Sequence, residues 1–251
     1  MLRVENLHKS FGGVAAINDV SLHFAPGTLS AVIGPNGAGK TTFFNLISGA
    51  LRPDSGRILF DGESIAGVSR PGIVRRGIGR AFQVASLFPS LSVEDSLMGA
   101  LLAHREQTAV IHRRFPLAET RPRAREVMEM LGLSTKARTL SRNLSHGDQK
   151  LLDIALALVL QPRVLLLDEP TAGMGPDERW QMIDKVYRLW EMERMTLVFI
   201  EHDMGIVFKI AQSIRVLCYG RVLAEGGPGE IRANPAVIEA YLGAPAAEAE
   251  T

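Results

Sequence analysis

The sequence contains one cysteine, Cys218, among its 251 residues. A single thiol cannot form a disulfide within the chain, and no second sulfur is present for a cysteine metal site. Cys218 lies in the apolar segment IRVLCYG, which predicts a strand, so we expect the thiol to pack in the core. A chain without paired cysteines fits a reducing compartment.

Long apolar runs are also missing. The longest is IALALVL, well short of the ~18 apolar residues that a membrane-spanning helix requires. The first residues, MLRVENLHKSFGG, include an early arginine but no apolar stretch of the kind that a signal peptide needs. We therefore expect no membrane span, and any role at a membrane to depend on a partner.

Neither sign of charge predominates, because the chain has 28 Lys and Arg residues and 27 Asp and Glu residues, which gives a net charge of +1. Such a surface has no global field that would attract nucleic acid, so we expect no nucleic-acid partner. The arginine-rich residues 112–127 also carry Glu119 and Glu126. We expect them to form a solvated helical face, with contact to anionic lipid head groups as the alternative.

The apolar pattern changes along the chain. The first ~30 residues alternate between apolar and polar, which predicts antiparallel strands, and RILFDGESI resumes this alternation. LSAVIG, VLLLDEP and LVFIEHD are buried strands that each lead into a helix, as in an α/β fold. Between these α/β segments the chain turns helical. We predict an α/β core at 1–83 and 161–243, a helical subdomain at 84–160 and a disordered tail at 244–251.

The motif GPNGAGKT matches G-x-x-x-x-G-K-[ST] at every fixed position. It follows an apolar strand and begins a helix, so backbone N–H groups and the helix dipole converge into a seat for a polyphosphate. A glycine-rich turn with an exposed lysine is the alternative, which this setting disfavours. The predicted nucleotide-binding residues are Gly34, Pro35, Asn36, Gly37, Ala38, Gly39, Lys40, Thr41 and Thr42.

Chemistry gives these residues separate tasks. The three glycines let the backbone curl closely around the phosphates. Lys40 supplies a charge for the β and γ phosphates, Thr41 offers its hydroxyl to Mg²⁺, and Thr42 can donate to the α phosphate.

Two carboxylates, Asp168 and Glu169, follow the apolar strand VLLL. Ligands bind at the carboxyl ends of strands in open α/β sheets, so we expect both side chains to face the phosphate loop. Asp168 would complete the Mg²⁺ sphere through water, and Glu169 would take a proton from an attacking water. Solvated surface charge is the alternative, which the buried strand disfavours.

A histidine, His202, follows the strand LVFI in the same way. A neutral imidazole there could orient the water and sense the γ phosphate. A purely structural or exposed histidine is the alternative.

The stretch NLSHGDQKLLDIALALVL places Ser145, His146, Gly147 and Asp148 where a buried helix must begin. These residues alone allow a hydrolytic triad, a helix cap or a contact for another chain.

With GPNGAGKT, LSHGD, VLLLDE and EHD in this order, residues 1–243 resemble an ATP-binding subunit of an ABC transporter. The resemblance implies a P-loop NTPase (RecA-like) core with an N-terminal antiparallel β subdomain and an inserted α-helical subdomain, and ATP and Mg²⁺ as cofactors. It implies that Phe11 stacks on adenine, where the family more often has tyrosine. It also implies that Gln83 in RAFQ joins the core to the helical subdomain, with roles in catalysis and metal binding, and reports to a transmembrane partner.

LSHGD is similar to the LSGGQ signature, which contacts ATP held by the opposite subunit through residues matching Ser145, His146 and Gly147. The resemblance thus implies half of a nucleotide site rather than a triad. Three residues depart from the family pattern: His146 replaces a glycine, Asp148 replaces a glutamine, and Gly175 replaces the usual aspartate of the interface loop 172–175. His146 could donate near the γ phosphate, but we expect it to point outward.

RGIGRAFQ, DEPTAGM and NPAVIEAYLG resemble the branched-chain amino acid uptake branch of this family. That branch implies a Mg-dependent ATPase at the cytoplasmic face of the cell membrane. Its partners would be permease subunits, a second ABC ATPase in a homo- or heterodimer and, indirectly, an external substrate-binding protein. Urea uptake, lipopolysaccharide export, a non-transport ABC ATPase and a non-hydrolysing regulatory module are alternatives.

Overall fold

The computed structural model describes residues 1–81, 88–104 and 118–242. The chain divides into two compact units, Ser69–Leu197 and Met1–Val68 together with the described residues of Val198–Thr251.

The elements follow one another along the chain in three stretches. The first stretch contains β1 (Leu2–Phe11), β2 (Val14–Phe24), β3 (Leu29–Ile33), α1 (Lys40–Ile47), β4 (Ser55–Phe60) and β5 (Glu63–Ser64). The second contains α2 (Arg70–Arg75), β6 (Ile78–Ala81), α3 (Val93–His104), α4 (Arg121–Leu131), α5 (His146–Leu158), β7 (Val164–Asp168) and α6 (Pro176–Glu193). The third contains β8 (Thr196–Ile200), α7 (Met204–Ile210), β9 (Ser213–Cys218), β10 (Arg221–Gly226), α8 (Pro228–Ala233) and α9 (Pro235–Leu242).

An antiparallel sheet of order β2-β1-β4-β5 occupies the first unit. Strands β1 and β2 form a hairpin that pairs Leu2 with Phe24 and Phe11 with Val14. Gly12 and Gly13 make the turn with φ of 52° and 86°, a region that favours glycine. The alternation of the N-terminal residues therefore predicted the strands correctly, because one side of each strand is buried.

Strand β3 is buried at all five residues and pairs in parallel with β9, which pairs antiparallel with β10. This confirms the predicted α/β unit, in which β3 leads through a loop into α1. Cys218, by contrast, is only half-buried. The prediction of core packing was wrong, because the thiol lies at the last residue of β9, where the strand leaves the core.

The second unit contains the parallel pair β6 and β7, with α5 packed on β6. Helices α3, α4 and α5 also contact one another, and each contains buried side chains, among them Leu97, Val127 and Leu152. The described part of the region between β6 and β7 is therefore helical, as the sequence predicts. The subdomain boundaries and the tail at 244–251 stay predictions, and the tail lies outside the described residues.

Most of the arginine-rich segment 112–127 that the structure describes belongs to α4, and its charges are paired. Glu94 accepts a hydrogen bond from Arg125 at 3.3 Å and forms an ion pair with Arg121 at the same distance. Arg123 pairs with Glu193 at 3.1 Å. Intramolecular ion pairs therefore occupy this part of the helix; residues 112–117 lie outside the described ranges.

No helix in the described ranges combines the length and the apolarity needed to span a membrane.

Candidate functional site

The phosphate loop connects β3 to α1 through residues 34–39, and its motif continues into the first two residues of α1, Lys40 and Thr41. Close backbone contacts fix both of its ends. A Cβ on Gly34 would lie 2.0 Å from the carbonyl oxygen of Leu217, and one on Gly39 would lie 2.4 Å from that of Ala16. Both glycines also have positive φ, of 151° and 100°. No side chain can therefore occupy either position without moving the backbone.

Lys40 is buried, with 6% of its surface exposed. Its ammonium donates to the carbonyl oxygens of Gly34 at 2.7 Å and Pro35 at 3.0 Å. The Lys40 side chain thus bends back over the loop, and the two backbone carbonyls compensate the burial of its charge. Thr41 and Thr42 follow in the first turn of α1, whose N–H groups point out of the helix end. The loop and this helix end together present donors and one positive charge.

An exposed aromatic residue, Phe11, ends β1 in the same unit, with 47% of its surface exposed. The ammonium of Lys9 lies 5.5 Å from the ring centroid. Lys9 also donates to Asp54 at 2.6 Å, and this hydrogen bond, with that from the backbone of Ser10, lowers the pKa of the Asp54 carboxyl. The hairpin that carries Phe11 therefore presents a ring face beside fixed charges.

Tyr241 of α9 contacts the first residue of the phosphate loop. Burial, helped by the nearby Cys218, raises the pKa of its hydroxyl to about 12, although a hydrogen bond from the backbone N–H of Gly34 acts in the opposite direction. Tyr241 belongs to NPAVIEAYLG, a segment that the sequence pattern did not connect with the loop.

Asp168, the last residue of β7, is buried, and so is its partner Arg80. Its Oδ2 atom accepts from Arg80 at 2.7 Å. Its Oδ1 atom is also buried, and no described residue donates a hydrogen bond to it. A buried carboxylate oxygen without a hydrogen-bond donor can coordinate a cation or accept a hydrogen bond from a water that a cation binds. Sequence patterns missed Arg80.

Glu169 follows with an unusual backbone, at φ 51°. Its carbonyl oxygen accepts from the ammonium of Lys150 at 2.9 Å and from the N–H of Ala172 at 3.1 Å. Glu169 is half-buried. No sequence motif indicated a role for Lys150 either, although it lies only two residues beyond LSHGD.

The signature segment, residues 144–148, starts α5, and Ser145 is its N-cap. The Ser145 hydroxyl accepts from the N–H of Asp148 at 3.2 Å and donates to its carboxylate at 2.6 Å. The same carboxylate forms an ion pair with Lys136. Ser145, Gly147 and Asp148 line a cavity of about 140 Å³.

His146 is exposed and lies beside the interface loop. A Cβ on Gly173 would come within 3.2 Å of its Cε1 atom. Among the hydrogen bonds of the described residues, none joins His146 to Ser145 or Asp148, so these side chains do not form a triad.

The segment EHD between β8 and α7 has three distinct environments. Glu201 is buried, His202 is exposed, and Asp203 caps α7 by accepting from Gly205 at 2.9 Å and Ile206 at 3.3 Å. The structure thus places His202 at a strand end, as the sequence predicts. Gln83, the remaining predicted site residue, lies outside the described ranges.

Each unit therefore carries one part of the predicted site. The first contains the phosphate loop, Phe11 and His202, and the second contains Asp168, Glu169 and the signature segment.

Comparison with known proteins agrees with these motifs. The family model described as ABC transporter matches residues 17–172. A second model, described as Branched-chain amino acid ATP-binding cassette transporter, matches residues 221–247.

The chain is also similar to curated proteins over nearly its whole length. It is 38% identical over 251 residues to the high-affinity branched-chain amino acid transport ATP-binding protein LivG of Escherichia coli (strain K12), covering 97% of this chain and 98% of that protein. Its identity to the corresponding protein BraF of Pseudomonas aeruginosa is also 38%, over 250 residues, with the same coverage of 97% and 98%.

Solved structures give the same result. A nucleotide-free ATP-binding cassette from an ABC transporter superimposes with a TM-score of 0.84 at 30% identity, covering 97% of this chain and 99% of that one. An ADP-bound conformation of such a cassette gives a TM-score of 0.84 at 31% identity, with coverage of 97% and 98%. The fold is therefore that of a P-loop NTPase, and the chain belongs to the ABC transporter family as an ATP-binding cassette.

Proposed function

We propose that this chain is the ATP-binding and hydrolysing subunit of an importer for branched-chain amino acids. The observation that carries the ATPase proposal is the phosphate loop, in which the buried ammonium of Lys40 is bent over two backbone carbonyls. The branched-chain substrate is supported by the match of residues 221–247 and by the likeness to LivG and BraF.

Nucleotide binding follows from the donors of the loop. The β and γ phosphate oxygens would replace the two carbonyls at Lys40, because charged acceptors bind an ammonium more strongly than neutral ones. The N–H groups at the start of α1 and the Thr42 hydroxyl would donate to the remaining oxygens. The exposed ring of Phe11 would stack on adenine.

A magnesium ion fits the donor set. The buried Oδ1 atom of Asp168 would accept from a metal-bound water, and the Thr41 hydroxyl would be a direct ligand. Bound Mg²⁺ would neutralise phosphate charge and hold the phosphate oxygens in place. By resemblance we add Gln83 to this set.

Hydrolysis would use Glu169 as the general base. Its carboxylate would take a proton from water as the water oxygen attacks the γ phosphorus, and the bond to the bridging oxygen would break to give ADP and phosphate. His202 would orient this water through its imidazole, and its exposed position at a strand end supports this role.

Two cassettes would share the nucleotides. The N-terminus of α5, with Ser145, His146 and Gly147, would act as an anion site and contact ATP on the second cassette. We infer that this dimer works at the cytoplasmic face of the membrane with permease subunits, supplied by an external substrate-binding protein. Dimer closure and hydrolysis would alternate the access of the permease.

The first test replaces the base. Glu169→Gln in the complete transporter should lower ATP turnover by about 10² to 10⁴ while ATP binding is retained. The measurements are phosphate release and nucleotide affinity, with exposed Glu63→Gln as the matched control. Turnover by Glu169→Gln within a few fold of wild type would exclude Glu169 as the base.

The second test identifies the transporter. The Glu169→Gln protein is purified with ATP from detergent-solubilised membranes, and its partners are identified by mass spectrometry. We expect two unlike permease subunits, a related second ATPase and an amino-acid-binding receptor. A lipopolysaccharide-bridge assembly, or soluble partners alone, would contradict the importer proposal.

A further inference from the structure

We propose that Lys150 is a positioning residue for hydrolysis, which holds the backbone of Glu169 so that its carboxylate points at the attacking water. This inference rests on the proposed role of Glu169 as the base. It assigns a task to a buried charge that lies outside the recognised motifs.

The contact is direct and well enclosed. Lys150 lies in the second turn of α5, with 8% of its surface exposed. Its ammonium donates to the carbonyl oxygen of Glu169 at 2.9 Å across 19 residues of sequence. Asp153, Leu167 and Asp168 surround the same small cavity. A charged donor in such surroundings makes a stronger hydrogen bond than a neutral donor in water.

The backbone that this bond holds is one that residues with a Cβ rarely adopt. Glu169 has φ 51°, in the left-handed region. Pro170 follows, and a residue before proline is biased towards extended conformations instead. Such a conformation persists only where its surroundings impose it. Lys150 and the N–H of Ala172 impose it here, because both donate to the one carbonyl oxygen of Glu169.

The position of Lys150 on α5 adds a mechanical consequence. The same helix begins at the signature segment, which in the proposed dimer contacts the nucleotide of the partner cassette. A rigid helix transmits a shift at its first turn to its second turn. Lys150 therefore connects closure on the partner's nucleotide with the orientation of the base in its own chain.

The test removes the donor while keeping the side-chain length. In the complete transporter, Lys150→Met should lower kcat by on the order of 10²-fold, the typical effect of a misplaced catalytic group, and leave the KM for ATP unchanged. Lys150→Arg, which retains a charged donor, should recover most of the turnover. Lys209→Met, on the exposed face of α7, is the matched control and should behave as wild type.

A double variant tests whether Lys150 acts on hydrolysis through Glu169. If Lys150 acts through Glu169, adding Lys150→Met to Glu169→Gln should not lower the residual single-turnover rate any further. A multiplicative loss would overturn the proposal, and so would an unchanged kcat in Lys150→Met. Full turnover by Glu169→Gln alone would instead refute the proposed base and leave the effect of Lys150→Met to be explained by another group.

Folding is checked by thermal unfolding of each variant. Lys150→Gln, which keeps a neutral donor, should fold and show an intermediate kcat. Loss of folding in the Met, Gln and Arg variants together would assign Lys150 a structural role and overturn the positioning role.

Discussion

At the scale of single residues, the two carboxylate oxygens of Asp168 have different environments. Oδ2 is neutralised by Arg80 at 2.7 Å, with side-chain exposures of 7% for Arg80 and 1% for Asp168. Oδ1 has no donor among the described residues. Arg80 thus compensates the charge while leaving one oxygen available, which a metal-bound water would need.

Replacing Arg80 should show how much its ion pair with the buried Asp168 contributes to the stability of the fold. Arg80→Met leaves a buried carboxylate without its ion-pair partner and should lower the free energy of unfolding by about 3–5 kcal/mol. Arg57→Met breaks a pair of the same length, 2.7 Å to Glu5, but Arg57 is 71% exposed, so its effect should be about 0–1 kcal/mol. Denaturant unfolding measures both. Equal losses of unfolding free energy in the two variants would show that groups other than Arg80 compensate the buried charge of Asp168.

At the scale of one element, the start of α5 combines a cap with an ion pair. Burial opposes ionisation of Asp148, but hydrogen bonds from Lys136 and Ser145, with the charges of Lys136 and Lys185, outweigh it and lower the pKa of the carboxyl. A carboxyl with a lowered folded-state pKa stabilises the fold above its unfolded value of 3.8 and loses this effect as pH falls through the folded value.

Asp148→Asn should therefore have a stability deficit that depends on pH. The variant should melt below wild type at pH 7, and the gap in Tm should close as pH falls below 3.8 and the carboxyl protonates. Thermal unfolding followed by circular dichroism from pH 7 to about 3 measures the gap, with Asp61→Asn in an exposed turn as the control. A gap that is constant over this range would contradict a role for the carboxylate charge.

Sequence patterns predicted local features of this site well. The phosphate loop and the strand before Asp168 each depend on neighbouring residues, so a short motif contains the necessary information; the start of a helix near Ser145 was also predicted, with a cap as one of the alternatives for its polar residues. Arg80 and Asp168 are 88 residues apart, and Lys150 and Glu169 are 19 apart. Such contacts arise from the packing of separate elements, which apolar periodicity does not specify. Gly34 and Tyr241 meet for the same reason.

At the scale of the whole molecule, the proposed site is complete only when a second cassette supplies its signature segment. ATP would then bind the dimer better than the separate chains and would favour association by linkage. The end of α5 that would face the partner is exposed at Ser145 and His146.

Ser145→Arg should block this association without affecting the chain's own nucleotide site. In a Glu169→Gln background, the variant should bind ATP normally yet stay monomeric, because the larger side chain occupies the place of the partner's phosphate. Sedimentation velocity with and without ATP measures the change, and exposed Ser64→Arg is the control. Normal ATP-dependent dimerisation of Ser145→Arg would refute the cross-chain contact.

The backbone contacts of the phosphate loop also limit how this sequence can change over generations. Gly34 and Gly39 lie so close to the carbonyls of Leu217 and Ala16 that every other amino acid collides there. Asn36, between them, is exposed. A substitution at Gly34 or Gly39 therefore requires the backbone of β9 or β2 to move as well, whereas a side chain at position 36 meets no such backbone constraint.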